Sequence, residues 1–152
     1  MMDFTIITKA FAGLSPQELY DLLQLRSAVF VVEQNCVFLD PDGLDAPCHH
    51  LLFYRGKTLE AYARLVPAGV SYPELSIGRI ITSAAVRRTG VGQQLVQKAI
   101  EETYRLFGNG PIKIGAQLYA KKFYERFGFV QSSDVYDEDG IDHIKMIKPY
   151  QT

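Results

Sequence analysis

The residues after Gly92 carry an apolar stripe at helical spacing, and this stripe constrains the fold more than any other feature of the chain. Its members recur at spacings of three and four, while glutamine, lysine and glutamate side chains occupy the opposite side. This pattern predicts an amphipathic helix that packs one face against a core and ends at residues 108–111, which contain two glycines and a proline. The stripe consists of Leu95, Val96, Ala99, Ile100, Leu106 and Phe107.

Apolar and β-branched segments on both sides of this helix predict a mixed sheet. Several consecutive strands come first, and strands then alternate with helices, so we predict an α/β (α+β) fold with helices on both faces of the sheet. The Gly56-Lys57 turn joins two of the strands in a hairpin, and Gly78 indicates a β-bulge or a close backbone approach. Strands are predicted at residues 4–8, 51–54, 59–66, 75–82, 112–116 and 141–147.

Two further helices are predicted from their ends. Ser15 is a helix N-cap, with Pro16 at the first helical position and Glu18 three residues after the cap. This helix runs, with or without a break, to about Val32. A second helix over residues 118–127 ends at Gly128.

The composition limits the number of domains and the class of partner. The 152 residues, of which 47% are apolar, fit one domain, and we expect it to cover residues 1–152. The net charge of −1 lacks the basic excess of nucleic-acid-binding proteins, and no stretch is long enough to span a membrane. We therefore expect neither nucleic acid nor a membrane as partner, and a homodimer stays open.

The N-terminus shows no basic region before a long apolar run, so we expect a cytoplasmic protein. In that compartment Cys36 and Cys48 are expected to be reduced thiols, with one disulfide as the alternative. No metal site is expected, because the two cysteines, His49 and His50 lack the paired spacing of zinc ligands. Residues 40–51 resemble a calcium loop but lack its final glutamate.

Residues 87–92, of sequence RRTGVG, join the fourth strand to the amphipathic helix. The first turn of a helix leaves N–H groups unpaired and carries partial positive charge, so main chain together with Arg87 or Arg88 could hold a pyrophosphate. The segment is not a P-loop, because Gln93 follows the second glycine, and it lacks the third glycine of a dinucleotide fingerprint. The alternative is that the glycines only form a tight strand-to-helix turn.

This segment, Ala116-Gln117 and residues 123–129, of sequence FYERFGF, together resemble the GNAT superfamily of acetyl-CoA-dependent N-acetyltransferases. Four further segments, residues 25–36, 62–65, 77–80 and 139–144, resemble the ElaA-like group within it. The resemblance covers most of the chain in the expected order. It implies a single GNAT-like domain with a splayed sheet, acetyl-CoA as cofactor, and transfer of acetyl to a primary amine of a small-molecule or peptide acceptor.

The resemblance also implies which residues contact the cofactor. The amides of residues 87–92 would bind the pyrophosphate, and the end of the fourth strand would pair with the pantetheine arm. Gln117 stands where many relatives have asparagine, so a polar contact with pantetheine is expected there. The cofactor residues implied are Ile80, Ile81, Thr82, Arg87, Arg88, Thr89, Gly90, Val91, Gly92 and Gln117.

Tyr124 matches the tyrosine with which many family members protonate the departing sulfur. A phenol with a pKa of about 10 keeps its proton at neutral pH and can donate it. The alternative is a helix tyrosine packed under Phe127 and Phe129. A strand-end N–H near Ile81 or Thr82 would stabilise the oxyanion. A CoA-binding sensor or partner-binding module without turnover is the alternative to an enzyme.

The residues on the acceptor side have more than one interpretation. Our first candidate for the base that deprotonates the substrate ammonium is Glu33, at the end of the first helix, and the alternatives are Glu74, His50 and His143. Arginines within apolar elements need a partner, so they either bind an anionic group of the acceptor or form internal ion pairs, for example with Glu33. The arginines concerned are Arg26, Arg64 and Arg79, and the expected acceptor contacts are Arg26, Arg64 and His50.

Overall fold

One eight-stranded sheet forms the frame of the computed structural model, which describes residues 3–150. Residues 1, 2, 151 and 152 of the expected domain lie outside the described residues. The helices are α1 (Pro16–Arg26), α2 (Val91–Phe107) and α3 (Lys121–Glu125). The strands are β1 (Thr5–Ala10), β2 (His49–Arg55), β3 (Thr58–Val66), β4 (Leu75–Thr82), β5 (Ile112–Gln117), β6 (Val130–Gln131), β7 (Tyr136–Glu138) and β8 (Ile141–Lys148).

The sheet is mixed, as predicted. Its strand order is β1-β2-β3-β4-β5-β8-β6, and β7 pairs with β8 beside this path. The pair β4 and β5 is parallel, and the other pairs are antiparallel. The parallel pair requires a crossover, which α2 supplies.

Helices cover both faces of the sheet, which confirms the predicted architecture. Successive side chains of a strand point to opposite faces, so one strand contributes to two cores. Leu51 and Phe53 of β2 belong to the core under α2, whereas Leu52 and Tyr54 belong to the core that contains Leu22 of α1.

The predicted amphipathic helix is α2, and its apolar stripe packs against the core, with Leu106 and Phe107 at its end only partly buried. Leu95, Val96, Ala99 and Ile100 are all less than 10% exposed. The helix ends at Phe107, and Gly108 follows with a φ of 86°, a left-handed conformation that favours glycine. The stripe therefore predicted both the helix and the face that it buries.

The capping box predicted for α1 is present. Ser15 Oγ accepts a hydrogen bond from the Glu18 amide at 3.1 Å, and the Ser15 amide donates to Glu18 Oε1 at 2.8 Å. The α-helix ends at Arg26, and the chain continues as a π-helical segment, Ser27–Glu33. Such π-helical turns are frequent at functional sites.

The C-terminal third differs from the prediction in detail. The helix predicted over residues 118–127 is a 3₁₀ turn, Leu118–Ala120, followed by the short α3, and the chain turns at Gly128 with a φ of 93°. The strands β6 and β7 were not predicted, because two or three residues show no hydrophobic period. Among residues 3–150, no helix combines the length and hydrophobicity needed to cross a bilayer.

Candidate active site

The sheet opens between β4 and β5. These parallel strands pair only from Leu75–Ile112 to Ser76–Lys113. Beyond these positions β5 remains paired with β8 along its whole length, so it diverges from β4. The opening forms a cleft of about 470 Å³ and confirms the predicted splay.

The cleft collects many of the residues selected from the sequence. They come from β4, from the loop before α2, from the end of β5, from α3, from β8 and from the π-helical segment. The predicted residues that line it are Ile80, Ile81, Thr82, Arg87, Gln117, Tyr124, Glu33 and His143, together with Arg79.

A β-bulge shapes the β4 wall of the cleft. Tyr62 pairs with Ile81 and Arg64 pairs with Gly78, so β4 contains one more residue than β3 over this stretch. The extra residue is Arg79, whose backbone φ of 50° is unusual for residues other than glycine and asparagine. The bulge expected from Gly78 is therefore present, with the positive φ at the next residue.

The loop before α2 presents main-chain donors. Arg88 and Gly90 have φ values of 63° and 87°, and Gly90 is the N-cap of α2. No side chain caps α2 among the described residues, and its first turn contains no acidic residue. The unpaired amides of this turn therefore suit an anion. A cavity of about 430 Å³ lies beside the loop and is lined by Thr89, Gly90, Val91, Gln93, Gln94, Gln97 and Phe127.

Arg87 spans the cleft and holds Glu33. Its guanidinium donates to both carboxylate oxygens of Glu33, at 2.6 and 3.0 Å, and to the carbonyl oxygen of Thr82 at 3.0 Å. These hydrogen bonds lower the pKa of Glu33 and raise the pKa of Arg87. A carboxylate with a lowered pKa is a weaker proton acceptor, so this geometry does not favour Glu33 as the base.

Tyr124 is both packed and open to the cleft. Its ring packs edge-on against Phe123, at 5.2 Å between centroids, and against Phe129 at 6.0 Å. Burial raises the pKa of its hydroxyl far above the ordinary value, so the group keeps its proton at neutral pH. The packing of the Tyr124 ring is therefore compatible with a role of its hydroxyl as a proton donor.

His143 and Glu138 lie next to each other in the wall of the cleft. The His143 Nδ1–H donates to the Ile141 carbonyl oxygen at 2.7 Å, which leaves Nε2 for the pair with Glu138, at 3.3 Å from Oε2. Glu138 was not among the residues selected from the sequence. The pairing of β7 with β8 brings it next to His143.

Arg26 lies in an internal ion-pair network. Its side chain is fully buried, and it donates to Asp40 Oδ2 at 2.8 Å and to Asp45 Oδ1 at 2.7 Å. The prediction that Glu33 pairs with this arginine is wrong, because Arg87 binds the Glu33 carboxylate. The actual partners lie in the acidic loop at residues 40–45.

Arg64 and Arg79 belong to the same network. Arg64 binds both oxygens of Asp42, at 2.8 and 2.9 Å, and Asp45 at 3.0 Å, while Arg79 donates to Asp40 Oδ1 at 2.9 Å. Burial would raise the pKa of Asp42, but the hydrogen bonds and charge of Arg64 outweigh this effect and lower it well below its usual range. This geometry favours the ion-pair interpretation of the arginines over contact with the acceptor.

His50 and Glu74 do not line the cleft. His50 is fully buried, where it accepts a hydrogen bond from the Tyr62 hydroxyl at 2.6 Å and donates to the Asp45 carbonyl oxygen at 3.0 Å. Burial lowers the pKa of His50, so the ring stays neutral. The structure thus places both residues away from the site at which the sequence analysis considered them.

Cys36 and Cys48 are free thiols rather than a disulfide. Within residues 3–150 no group of three or more His, Cys, Asp or Glu side chains is placed to hold a metal ion.

Comparison with known proteins agrees with this geometry. A family model described as an acetyltransferase (GNAT) domain matches residues 48–149. The chain is 44% identical to the protein ElaA of Escherichia coli over 137 residues, which cover 89% of this chain and 90% of that protein.

Solved structures show the same architecture. An acyl-CoA N-acyltransferase from Pseudomonas aeruginosa superposes with a TM-score of 0.93 at 40% identity, covering 96% of this chain and 99% of that one. The crystal structure of E. coli ElaA gives a TM-score of 0.91 at 40% identity with the same coverage. A Bacillus subtilis acetyltransferase in complex with CoA shares the fold at 20% identity, with a TM-score of 0.65 and coverage of 98% of this chain and 100% of that chain. The chain therefore belongs to the GNAT acetyltransferase family and, within it, to the ElaA-like group.

Proposed function

We propose that this protein is an acetyl-CoA-dependent N-acetyltransferase that transfers acetyl directly to a primary amine. The observation that carries the proposal is the cleft between β4 and β5, which runs from Arg87, in the loop before α2, to Tyr124. The B. subtilis relative solved with CoA supports the choice of coenzyme.

The residues of the cleft suit the parts of this coenzyme. The amides of residues 88–92 and the Arg88 guanidinium would hold the pyrophosphate, because the first turn of α2 is uncapped and free of acidic residues. The backbone of Ile80–Thr82 and the side chain of Gln117 would hold the pantetheine arm. When bound, the coenzyme supplies an acyl group activated as a thioester.

Tyr124 is the proposed acid. Its hydroxyl keeps its proton until negative charge develops on a nearby sulfur, and it then donates that proton. Main-chain N–H groups at the bulge, near Ile81, would stabilise negative charge on the carbonyl oxygen. Removal of either contribution is expected to slow transfer more than it weakens coenzyme binding.

His143 is the base we favour. Its Nδ1 is occupied by a carbonyl oxygen, so Nε2 would accept the proton that the substrate ammonium must lose before it can attack. Glu138, beside Nε2, would then stabilise the imidazolium. Glu33 stays the alternative, although its carboxylate already binds Arg87.

Replacement of Tyr124 tests this proposal. The Tyr124→Phe variant is expected to lose about a hundredfold in turnover, followed as release of free thiol, with little change in CoA affinity by calorimetry. Tyr20→Phe is the matched control, because Tyr20 is 66% exposed on α1 and does not line the cleft. Unchanged turnover in Tyr124→Phe would remove this residue from the mechanism. CoA binding without acetylation of any amine would favour the non-catalytic binding module.

A further inference from the structure

Gly115 marks an opening in the β5 wall of the cleft. Its neighbours Ile114 and Ala116 are buried in the core under α2, so Gly115 faces the opposite side of the sheet. It is exposed and lines the cleft. The missing side chain therefore leaves space on the face that does not carry α2.

Three polar side-chain ends surround this space. A Cβ atom built on Gly115 would lie 3.4 Å from the Tyr136 hydroxyl oxygen, 3.5 Å from Lys145 Nζ and 3.5 Å from the Tyr72 hydroxyl oxygen. These side chains come from β7, from β8 and from the loop between β3 and β4. We call this arrangement the Gly115 cradle.

Two ammonium groups make the cradle positive. Lys145 Nζ donates to the Tyr72 hydroxyl oxygen at 2.9 Å and lies 4.8 Å from the centre of the Tyr136 ring. Lys113 Nζ lies 5.1 Å from the centre of the Tyr72 ring. Both side chains therefore bring positive charge to the face of β5 on which Gly115 lies.

The cradle has donors without a matching anion. The Tyr72 hydroxyl accepts from Lys145, so its own proton is available for donation. The Tyr136 hydroxyl oxygen is buried and has no hydrogen-bond partner among residues 3–150. In the same part of the chain, no carboxylate lies within 4.0 Å of the ammonium of Lys113 or Lys145. A buried polar group without a partner is unfavourable, so these donors suit an anionic oxygen from a ligand.

We propose that the Gly115 cradle binds a carboxylate of the acceptor, so that the acceptor is an amine that also carries a carboxylate group. This inference rests on the proposed N-acetyltransferase function and names its substrate class. Gly115 and Tyr124 line the same cleft, whereas the loop that suits the coenzyme pyrophosphate lies at the start of α2. One strand residue spans roughly 3.3 Å, so Gly115 is about 7 Å from Gln117 at the end of β5, within reach of a small acceptor.

Matched pairs of acceptors test the inference. Glycine, β-alanine and 4-aminobutyrate are each compared with their carboxamides by thiol release, with rates corrected for the fraction of neutral amine. At least one carboxylate should exceed its carboxamide by about tenfold or more in kcat/KM, the size expected for a charge-assisted hydrogen bond. Equal use of both members of every pair, or preference for phosphoethanolamine over all the carboxylates, would overturn the proposal.

Variants of the cradle test whether its residues cause the preference for carboxylate acceptors. A methyl group in Gly115→Ala would meet its neighbours at ordinary contact distances, so the protein should fold with an unchanged melting temperature while the carboxylate preference falls to within about twofold. Tyr136→Phe, which removes a hydroxyl without a protein partner, should also reduce the preference. Lys57→Met is the charge control, because Lys57 is exposed in the β2–β3 turn. A preference that survives Gly115→Ala in a folded protein would contradict the cradle.

A binding measurement separates this inference from the proposed function. CoA-saturated protein is titrated calorimetrically with the N-acetylated carboxylate and with its carboxamide. The carboxylate should bind about tenfold more tightly, and Gly115→Ala should abolish the difference. Turnover of amines without any such difference contradicts the cradle alone. No turnover of any amine contradicts the proposed function, and the inference with it.

Discussion

At the residue scale, the neighbouring side chains of Arg87 and Arg88 differ, because only Arg87 has hydrogen-bond partners within residues 3–150. The Arg87 guanidinium is bound by Glu33 and by the Thr82 carbonyl oxygen. Arg88 is exposed, and its guanidinium forms no hydrogen bond with any residue from 3 to 150. Of the two arginines offered by the sequence, Arg88 is therefore the better candidate for a phosphate contact.

Substitution of Arg88 tests this assignment. Arg88→Asn suits the positive φ of this position and should weaken CoA binding about tenfold by calorimetry, because one charge-assisted hydrogen bond is lost. Lys57→Gln removes an equal charge from the exposed β2–β3 turn and should leave the affinity unchanged. Equal affinity of Arg88→Asn and the parent protein would leave the main-chain amides as the sole phosphate contacts.

The two cysteines should differ in reactivity. Burial raises the pKa of the Cys48 thiol to about 11, and this thiol donates to the Leu44 carbonyl oxygen at 3.0 Å. Cys36 is half-buried. A thiol reagent at neutral pH should therefore label Cys36 rapidly and Cys48 slowly, and Cys36→Ser should remove the rapid phase of labelling. Two rapid phases in the folded protein would contradict the burial of Cys48.

At the element scale, the start of α1 is fixed by the capping box at Ser15, which the sequence predicts. Ser15→Ala removes the cap and should destabilise the protein by about 1 kcal/mol in urea unfolding. Ser132→Ala, in an exposed loop, is the control and should change the free energy of unfolding by less than about 0.5 kcal/mol. A loss as small as that of the control would show that the capping box contributes little.

The elements that could be predicted were those with local signals. The stripe of α2, the box at Ser15 and the glycine at position 108 are read within a few residues. The change from α- to π-helix after Arg26 follows no local pattern, and that residue is held by Asp40 and Asp45 from a distant loop. The strands β6 and β7 exist only because β8 pairs with them.

The residues of the candidate site also divide into those that local sequence motifs predict and those that they do not. Arg87, residues 89–91 and Tyr124 follow sequence motifs, so their place at the cleft or at the cavity beside the loop could be expected. Glu138 could not be selected, because the three-residue strand that brings it next to His143 shows no hydrophobic period. Gly115 could not be selected, because its neighbours Tyr72, Tyr136 and Lys145 are distant from it in the sequence. The acidic partners of Arg64 and Arg79 were missed for that reason too, since they lie 22 and 39 residues away.

At the scale of the whole molecule, the arginine–aspartate network joins α1, the loop at residues 40–45, β3 and β4. Burial would raise the pKa of Asp45, but hydrogen bonds from Arg26 and Arg64 outweigh it and lower the pKa. For Asp42 the hydrogen bonds from Arg64 have the same effect. The unfolded chain therefore binds protons first on acidification. The stabilisation is fully present above the ordinary aspartate pKa of about 4 and is lost as the pH falls through the lowered folded value.

Acid unfolding measures this contribution. Urea unfolding between pH 7 and pH 3 should show a falling free energy of unfolding below about pH 4, with a shallower fall in Asp45→Asn. At pH 7 the variant should be less stable by about 3 kcal/mol, because buried Arg26 loses a partner. Asp134→Asn is the exposed control and should follow the parent curve. A parent-like curve for Asp45→Asn would show that the network contributes no pH-dependent stability.

The most direct test of the account is the stoichiometry of transfer from acetyl-CoA to an amine. Protein, acetyl-CoA and a panel of primary amines are incubated together, and free thiol and acetylated amine are quantified in the same samples. The account predicts that both products appear in equal amounts, at a rate proportional to protein concentration, and that Tyr124→Phe slows both alike. Thiol release at the rate of the protein-free sample for every amine, with CoA bound, would contradict it.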